Sequence, residues 1–355
     1  MTFRVDWIED ERGLVELAPA WEALAEQAGL PFARHGWFLA WWQAFGRGSR
    51  LSTCALWDGD ELVGVLPLRR VRRRLETLTN EHTPVFVPLA RDADALGQLA
   101  HRAVEAVGGE LLVSRLPADH EGVRVFAEAA AGRGIVWIEP RASSPIVELG
   151  GTVEELRARI GAKERRELER RRRRLAEDHD VRMRLLEASA DIDGELDAGF
   201  RVEASGWKGK RGTAIVSDPA VELFYRLVAR SFHAAGRFAP SALVVDGDLA
   251  AFNFCLIDHR RAWSMKIGYD ERYGRFAPGL MLRYAQLEHA YELGLEGYEM
   301  LGDADRFKMR FANRTRDLVD VRLFRRQPVP VARYLYRRYA RPTLRALHRR
   351  VRSRG

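Results

Sequence analysis

The chain of 355 residues has only two cysteines and no long apolar run. Cys54 and Cys255 stand in apolar, strand-like segments, which predicts isolated buried thiols rather than a disulfide framework. No Cys/His cluster has zinc spacing, so no metal is expected. The absence of about 18 consecutive apolar residues argues against a membrane span. The polar, acidic start MTFRVDWIEDERG differs from a secretory leader, so a cytoplasmic protein is expected.

The net charge of +8 is concentrated at the C-terminal end. After Asp320 the chain has twelve arginines and no acid, and removing these twelve charges from +8 leaves −4 for the preceding residues. A globally basic surface for nucleic acid is therefore not expected. The segment 327–355 sets apolar side chains among its arginines. It is interpreted either as a helix packed on the body or as a tail on the inner, anionic membrane surface.

Two halves of the chain repeat one pattern. Residues 53–68 and 243–257 each read as a strand, an Asp-Gly-Asp turn and a second strand, and each follows an aromatic-rich helical segment. The stretch 139–152 is rich in Pro, Ser and Gly, which predicts a join near residue 150. The length also suits two domains, each with its own core. The predicted parts are an N-terminal domain 1–149, a C-terminal domain 150–326 and a tail 327–355.

The most informative stretch runs from Ala262 to Gly294: a strand pattern, a basic loop and an amphipathic helix. The apolar stripe predicts a helix that starts at Pro278 and ends before Gly294. Pro suits the first turn, and the amides of Gly279 to Leu282 are expected to be unpaired and to attract a phosphate. The alternative is an ordinary turn, since neither a Walker pattern nor a G-x-G-x-x-G fingerprint is present.

A basic helix is predicted after the join. Thr152 with Glu155 forms a capping-box pattern, and the helix is expected to run to about Asp178. It carries Lys163 and the run Arg170 to Arg174, interspersed with glutamates. One interpretation is a solvated, ion-paired face, and the other is a basic wall for an anionic substrate.

Four segments together resemble the GNAT superfamily of acyltransferases, in its FemAB/CelD-like branch with two GNAT domains per chain. They are 163–175, 203–213, 264–282 and 302–311, and the resemblance spans about residues 150 to 325. The implied fold is α/β, with two tandem GNAT-like domains of mixed sheets flanked by helices. The implied reaction moves an acyl group from acetyl-CoA or another acyl-CoA to an amine.

In the GNAT arrangement the strand before the phosphate loop, here Met265 to Tyr269, supplies backbone donors along the pantetheine. Arg272 and Arg275 add donors suited to phosphate. The loop and helix start would hold the pyrophosphate. The resulting donor-binding residues are Ile267, Gly268, Arg272, Arg275, Ala277, Pro278, Gly279 and Leu280.

Glu203 is the acid/base candidate, because its helix should end at Gly206 and bring Trp207 and Lys208 near it. A Glu203–Lys208 ion pair is the alternative. Asp303 and Asp305 follow a strand-like segment, and Lys308 resembles a lysine that FemAB-like transferases place near the acceptor or the acyl carbonyl. Tyr269, Tyr273 and Tyr284 are candidate acids for the thiolate, or packing residues. The expected catalytic residues are Glu203, Asp303, Lys308 and Tyr269, and the expected substrate-binding residues are Trp207, Lys208 and Asp305.

The leading hypothesis is an acyl-CoA N-acyltransferase whose acceptor is an amino sugar or amino acid, within polysaccharide or cell-envelope synthesis. A FemX-like transferase that uses aminoacyl-tRNA is the first alternative. A non-catalytic scaffold of a polysaccharide-synthesis complex is the second.

Overall fold

The computed structural model describes residues 3–206, 209 and 211–341. The helices are α1 (Glu11–Glu16), α2 (Ala18–Ala25), α3 (His35–Phe45), α4 (Ala93–Ala106), α5 (Glu121–Ala130), α6 (Val153–Arg159), α7 (Ala162–Asp178), α8 (Ile192–Ser205), α9 (Pro219–Ala234), α10 (Pro278–Glu292) and α11 (Pro328–Leu335). The strands are β1 (Arg4–Ile8), β2 (Arg50–Leu51), β3 (Thr53–Asp58), β4 (Glu61–Leu66), β5 (Leu68–Val71), β6 (Arg74–Thr77), β7 (Leu89–Ala90), β8 (Glu110–Pro117), β9 (Gly134–Pro140), β10 (Ser144–Glu148), β11 (Val181–Arg184), β12 (Ser241–Val245), β13 (Asp248–Asp258), β14 (Arg261–Tyr269), β15 (Gly297–Glu299), β16 (Arg314–Arg316) and β17 (Leu318–Arg325).

The chain divides into two compact units, and both are discontinuous in sequence. Among the described residues, the first unit comprises 3–28, 48–141 and 318–341, and the second comprises 29–47 and 142–317. The sequence predicted continuous domains, 1–149 and 150–326, with a tail from 327. In the structure α3 belongs to the second unit and β17 to the first.

The first unit contains a sheet of order β1-β3-β4-β7 and a sheet of order β2-β5-β6-β8-β17-β9. Adjacent strands are antiparallel except β6 and β8, which are parallel and are joined through a connection that contains α4. The predicted hairpin is confirmed: β3 pairs with β4 up to Asp58 and Glu61, across a two-residue Gly-Asp turn.

The second unit contains a sheet of order β11-β12-β13-β14-β15-β10-β16. Its parallel pair is β14 and β15, joined through α10, so the strand-helix-strand arrangement of the first unit recurs. The hairpin of β12 and β13 is confirmed as well, and its turn residues Asp246 and Gly247 both have positive φ, as a type I′ turn requires. The predicted architecture of two mixed α/β units is thus confirmed.

Helix predictions near the site are mostly confirmed. The helix α10 begins at Pro278 and is followed by Leu293 and Gly294, as the apolar stripe indicated. Thr152 and Glu155 form the capping box of α6. The expectation of one helix from 152 to about 178 is wrong, because Gly161, at φ 71°, separates α6 from α7.

Buried aromatic side chains build much of the second unit's core. The ring centroids of Trp37 in α3 and Phe224 in α9 lie 4.9 Å apart in an edge-to-face arrangement. Cys54 and Cys255 are buried free thiols, as expected. Within the described ranges, no helix is both long enough and apolar enough to span a bilayer.

Candidate active site

A cavity of about 700 Å³ lies in the second unit, where β14 and β15 separate. The pairing of these strands covers only Arg261–Trp263, whereas β14 stays paired with β13 as far as Tyr269. The cavity walls come from the later part of β14, the start of α10, the end of α8 and the segment after β15. The lining residues are Glu203, Gly206, Ser264, Met265, Lys266, Ile267, Gly268, Tyr269, Gly274, Ala277, Gly279, Leu280, Arg283, Met300, Leu301, Gly302, Asp305, Phe307 and Lys308.

The cavity is lined from both faces of the sheet. Gly268 of β14 faces α8, because a Cβ atom built on it would meet the backbone of Glu203, and Phe252 of β13 stands directly opposite Gly268. The next residue, Asn253, donates a 2.8 Å hydrogen bond to Gln286 of α10. Since successive strand residues point to opposite faces, α8 and α10 cover opposite faces. The opening between β14 and β15 therefore connects the two sides.

Glu203 lies on the α8 side and is 3% exposed. Its Oε2 accepts a 2.9 Å hydrogen bond from the Ile215 amide, which fixes the carboxylate orientation. The helix ends before Gly206, as predicted. The predicted neighbours Trp207 and Lys208 lie outside the described residues, so their proximity to Glu203 stays a prediction.

The start of α10 lies on the other side of the cavity. Ala277 is the N-cap of the helix in the left-handed region, at φ 56°, and it provides no side-chain capping hydrogen bond. The amides of Leu280 and Met281 donate to the Ala277 carbonyl oxygen, so the expected row of unpaired amides from 279 to 282 is wrong. Within the described part of the chain, the Gly279 amide is left without a partner. The Gly279 N–H group therefore remains available to an anion at the N-terminus of α10, where the positive end of the helix dipole adds to the attraction.

The corresponding helix of the first unit has a different N-terminus. Asp92 caps α4 by accepting a hydrogen bond from the Ala95 amide, and Asp94 stands in the first turn. This hydrogen bond and the Arg91 side chain lower the pKa of Asp92. Carboxylates thus occupy the positive end of α4, whereas the first turn of α10 contains no acid. Only the second helix leaves that end available to an anionic ligand.

The tyrosine at the end of β14 lies beside the helix start. Tyr269 is 39% exposed, and its Cδ1 would lie 3.3 Å from a Cβ atom on Gly279. The other two tyrosine candidates do not line the cavity. Tyr284 packs in the apolar core, and burial together with Glu288 raises its pKa. Tyr273 lies against His179, and partial burial raises its pKa. Tyr269 therefore has the better position for chemistry.

Three of the predicted donor-binding residues do not line the cavity. Arg272 is paired with Asp270 at 2.7 Å and with Asp248 at 3.2 Å, and the Asp270 carboxylate raises the pKa of Arg272. The Arg275 guanidinium lies 4.6 Å from the Phe276 ring centroid. Pro278 is buried in the first turn of α10. The remaining five predicted donor-binding residues, Ile267, Gly268, Ala277, Gly279 and Leu280, do line it.

Lys308 lines the cavity and supports one of its loops. Its ammonium donates to the carbonyl oxygens of Leu301 at 2.7 Å and Asp303 at 3.2 Å. Leu301 and Gly302 both have positive φ, so these bonds stabilise a tight turn. Asp305 lines the cavity and accepts the Lys308 amide at 2.9 Å, whereas the Asp303 side chain is not among the lining groups.

Sequence reasoning missed a buried polar network and a buried cation. Ser264 in the cavity wall donates to Asn253, and Asn253 and Tyr298 both donate to Gln286. The cation is Arg283 of α10, which lines the cavity and is almost fully buried. An arginine inside the apolar stripe of a helix was the available signal. Among the described residues, no group of His, Cys, Asp and Glu side chains could hold a metal ion.

Comparisons with known proteins identify the type of domain. Residues 162–309 match the family described as an acetyltransferase (GNAT) domain. No curated protein matches the sequence. One similar solved structure is the C-terminal domain of a protein described as a lysylphosphatidylglycerol synthetase from Agrobacterium fabrum. It has 13% identity and a TM-score of 0.58, over 92% of this chain and 95% of that chain.

Two further structures have the same fold. L-PGS of Bacillus licheniformis has 13% identity and a TM-score of 0.57, over 93% of this chain and 96% of that chain. FemX has 11% identity and a TM-score of 0.54, over 95% of this chain and 99% of that chain. At these identities the likeness shows the fold, which is of the FemAB-like GNAT kind that the sequence predicted.

Proposed function

We propose that this GNAT-type acyltransferase moves an acyl group from acetyl-CoA or another acyl-CoA to an amine acceptor of amino-sugar or amino-acid type. The supporting observation is the cavity through the second unit's sheet. Its α10 side offers an uncapped helix N-terminus, and its α8 side offers the Glu203 carboxylate. Donor and acceptor can thus approach one point from opposite faces, as a direct transfer between two bound substrates requires.

The donor would bind along the α10 side. Its pyrophosphate would face the Gly279 amide and the positive end of α10, whose first turn contains no acidic side chain. Its pantetheine arm would follow Met265–Tyr269. Arg275, which forms no ion pair with a described residue, would reach the phosphates from the loop, whereas Arg272 is held by Asp270 and contributes long-range attraction.

The acceptor would bind beside Glu203, with Asp305 and Asp303 on the loop after β15 attracting its ammonium. Glu203 takes a proton from the amine, directly or through a water, and the free amine attacks the thioester carbonyl carbon. The C–N bond forms, the C–S bond breaks and the nitrogen releases its second proton, which restores the proton donor, while the leaving thiolate takes a proton. Tyr269 is the proposed donor of that proton, and Lys308 offsets charge on the carbonyl oxygen as well as stabilising its loop.

Aminoacyl-tRNA is the alternative donor, and the observation that favours it is α7. Arg170 and Arg171 both pair with Glu167, but Arg172–Arg174 are exposed and form no ion pair with a described residue. Such a run could contact phosphates. Binding of CoA thioesters and of aminoacyl-tRNA should be compared at 50 and 200 mM salt by thermal stabilisation.

A CoA thioester at 100 times its Kd should stabilise the protein by about 2.7 kcal/mol, with little loss at the higher salt. If aminoacyl-tRNA stabilises the protein and CoA thioesters do not, and if that stabilisation falls steeply with salt, aminoacyl-tRNA becomes the preferred donor.

We also propose that α11 and the residues after it contact an anionic membrane, which suits an acceptor from cell-envelope synthesis. Tyr334 packs on Phe324 and Trp137, whereas Tyr336 and Tyr339 are exposed among arginines. Replacing Tyr336 and Tyr339 by Ser should weaken binding to phosphatidylglycerol vesicles. Neither the wild type nor the variant should bind neutral vesicles. Equal binding by both proteins would refute the contact. Residues 342–355 lie outside the described part of the chain.

A further inference from the structure

Arg283 is a buried cation in the cavity wall with no acidic partner. It lies one turn beyond Gly279 on α10 and is 2% exposed. Its Nε and Nη1 atoms are buried without a hydrogen-bond partner, and no described residue forms an ion pair with it. The residues outside the described ranges include no Asp or Glu. No Asp or Glu side chain of this chain therefore neutralises Arg283.

Other buried arginines of the fold are neutralised. Arg34 forms two 2.8 Å hydrogen bonds with Asp258. Arg322 is paired with Glu110 and Asp320, both at 3.0 Å. Burying a guanidinium without a counter-charge is strongly unfavourable, so these pairs are the ordinary solution. Arg283 departs from it, and it does so in the wall of the cavity.

Four groups near Arg283 or in its cavity lining are uncharged at neutral pH: Cys255, Tyr298, Ser264 and Met300. Burial raises the pKa of both Cys255 and Tyr298 to about 12, and the guanidinium opposes that shift from nearby. Ser264 and Met300, which line the cavity with Arg283, carry no charge. Glu203 and Asp305 also line the cavity but form no ion pair with Arg283, so a bound molecule is the expected source of a paired anion.

We propose that Arg283 binds a carboxylate of the substrate, either on the acyl group of the donor or on an amino-acid acceptor. This inference rests on the proposed acyl transfer and narrows its substrate class. A planar guanidinium matches a carboxylate through two parallel hydrogen bonds. An oxyanion that forms during the reaction would leave the charge unpaired in the substrate complex. The donor phosphates are assigned to Gly279, one turn nearer the helix start.

Two substrate comparisons distinguish the sources of the carboxylate. The rate with succinyl-CoA is compared with the rate with acetyl-CoA, using one amine acceptor that carries no carboxylate, and this comparison tests the acyl group. Amino acids against their amides, with acetyl-CoA, test the acceptor. In one of the two comparisons, the wild-type protein should favour the carboxylate-bearing member by about 100-fold in kcat/KM, which is within the range of hydrogen bonds to a charged group. Arg283→Met should reduce that ratio to within a few-fold, and Arg283→Lys should restore part of it.

Lys266→Met provides the matched control, since it removes another positive charge that lines the same cavity. It should leave the ratio unchanged, which a general electrostatic effect would not. The melting temperature of Arg283→Met should equal or exceed that of the wild type, because an unpaired buried charge is replaced by an apolar side chain.

Three outcomes would overturn the assignment: no preference for a carboxylate in either comparison, equal loss with charged and neutral substrates, or a large drop in melting temperature. Failure of the donor hypothesis is distinguished by titration calorimetry with acetyl-CoA and succinyl-CoA. If neither thioester binds, thermal stabilisation by glutamate against glutaminamide, which lacks both carboxylates, still tests Arg283 in the wild type and in Arg283→Met. An equal shift in all four measurements refutes the carboxylate contact.

Discussion

The backbone of Gly268 lies so close to Glu203 that a Cβ atom at position 268 would stand 2.4 Å from the Glu203 Cα atom and 3.0 Å from its amide nitrogen. Because both obstacles belong to the backbone of α8, no side-chain rotation relieves the contact. The strand that lines the donor side of the cavity thus fixes the position of the helix that carries the carboxylate. Gly268, proposed from the sequence as a donor contact, also sets this distance.

Gly268→Ala should therefore shift α8 away from β14. We expect a loss of about 1–3 kcal/mol in the free energy of unfolding, as in other overpacked contacts, and a fall in turnover larger than that in donor affinity. Gly274→Ala is the matched control, because its Cβ would meet nothing closer than 3.9 Å in the same cavity wall. Equal behaviour of the two variants, measured by denaturant unfolding and steady-state kinetics, would show that this contact does not position Glu203.

Gly279→Asp should weaken acyl-CoA binding by at least tenfold, or about 1.4 kcal/mol. The substitution gives α10 the acid that α4 already has at the second helical position, where Asp94 stands. A carboxylate there occupies the positive helix end and repels phosphate. Asp94→Gly, the converse change in the first unit, should leave affinity unchanged. Titration calorimetry checks both, and unaltered affinity in a folded Gly279→Asp protein would remove the loop from donor binding.

The sequence predicted the strand, loop and helix around this site because each depends on local signals. Pro278 and Gly294 mark the ends of α10, and the two Asp-Gly turns mark hairpins. The membership of α3 in the second unit depends on long-range contacts such as Trp37 with Phe224, which no local pattern records. Arg283 was missed for the same reason, since its lack of a partner is a property of the folded chain.

The segment after β15 shows a second reason why the sequence could not predict the whole site. The sequence pattern placed Asp303 and Asp305 after a strand, and the family resemblance proposed Lys308; in the structure, Asp305 and Lys308 line the cavity after β15. The sequence did not indicate that the Lys308 ammonium donates to two backbone carbonyls, because such bonds depend on the unusual φ values of Leu301 and Gly302. The assigned role of Lys308 in catalysis stays a prediction.

Glu203→Gln should lower turnover by about 10² to 10⁴-fold with donor affinity little changed. The deficit should shrink as pH rises, since the free acceptor amine then no longer needs a base. Glu195→Gln serves as the control, because Glu195 is a buried carboxylate of the same helix, paired with Arg184 outside the cavity. That control should lower stability without altering the pH profile. An unaltered pH profile for Glu203→Gln would remove Glu203 from catalysis and leave it a structural role, such as its hydrogen bond with the Ile215 amide.

Asp320→Asn should destabilise the protein by about 3–5 kcal/mol near pH 7, as expected when one partner of a buried ion pair is removed. Burial opposes ionisation of Asp320, but hydrogen bonds from Arg141 and Ser114 outweigh it and lower its pKa below 3.8. This contribution is complete above the pKa of the unfolded state and is lost as pH falls through the lower folded pKa. The difference in unfolding free energy should therefore shrink below about pH 4. A difference that stays constant down to pH 2 would contradict this sign.

Acyl transfer itself is tested most directly by measuring CoA released from acetyl-CoA and succinyl-CoA in the presence and absence of a panel of amino sugars and amino acids. We expect release to depend on an amine, one acylated amine to form for each CoA, and Glu203→Gln to depress both together. If a folded protein released no CoA in an amine-dependent way from any thioester across the panel, acyl transfer from CoA would be refuted, and a tRNA donor or a non-catalytic role would be favoured.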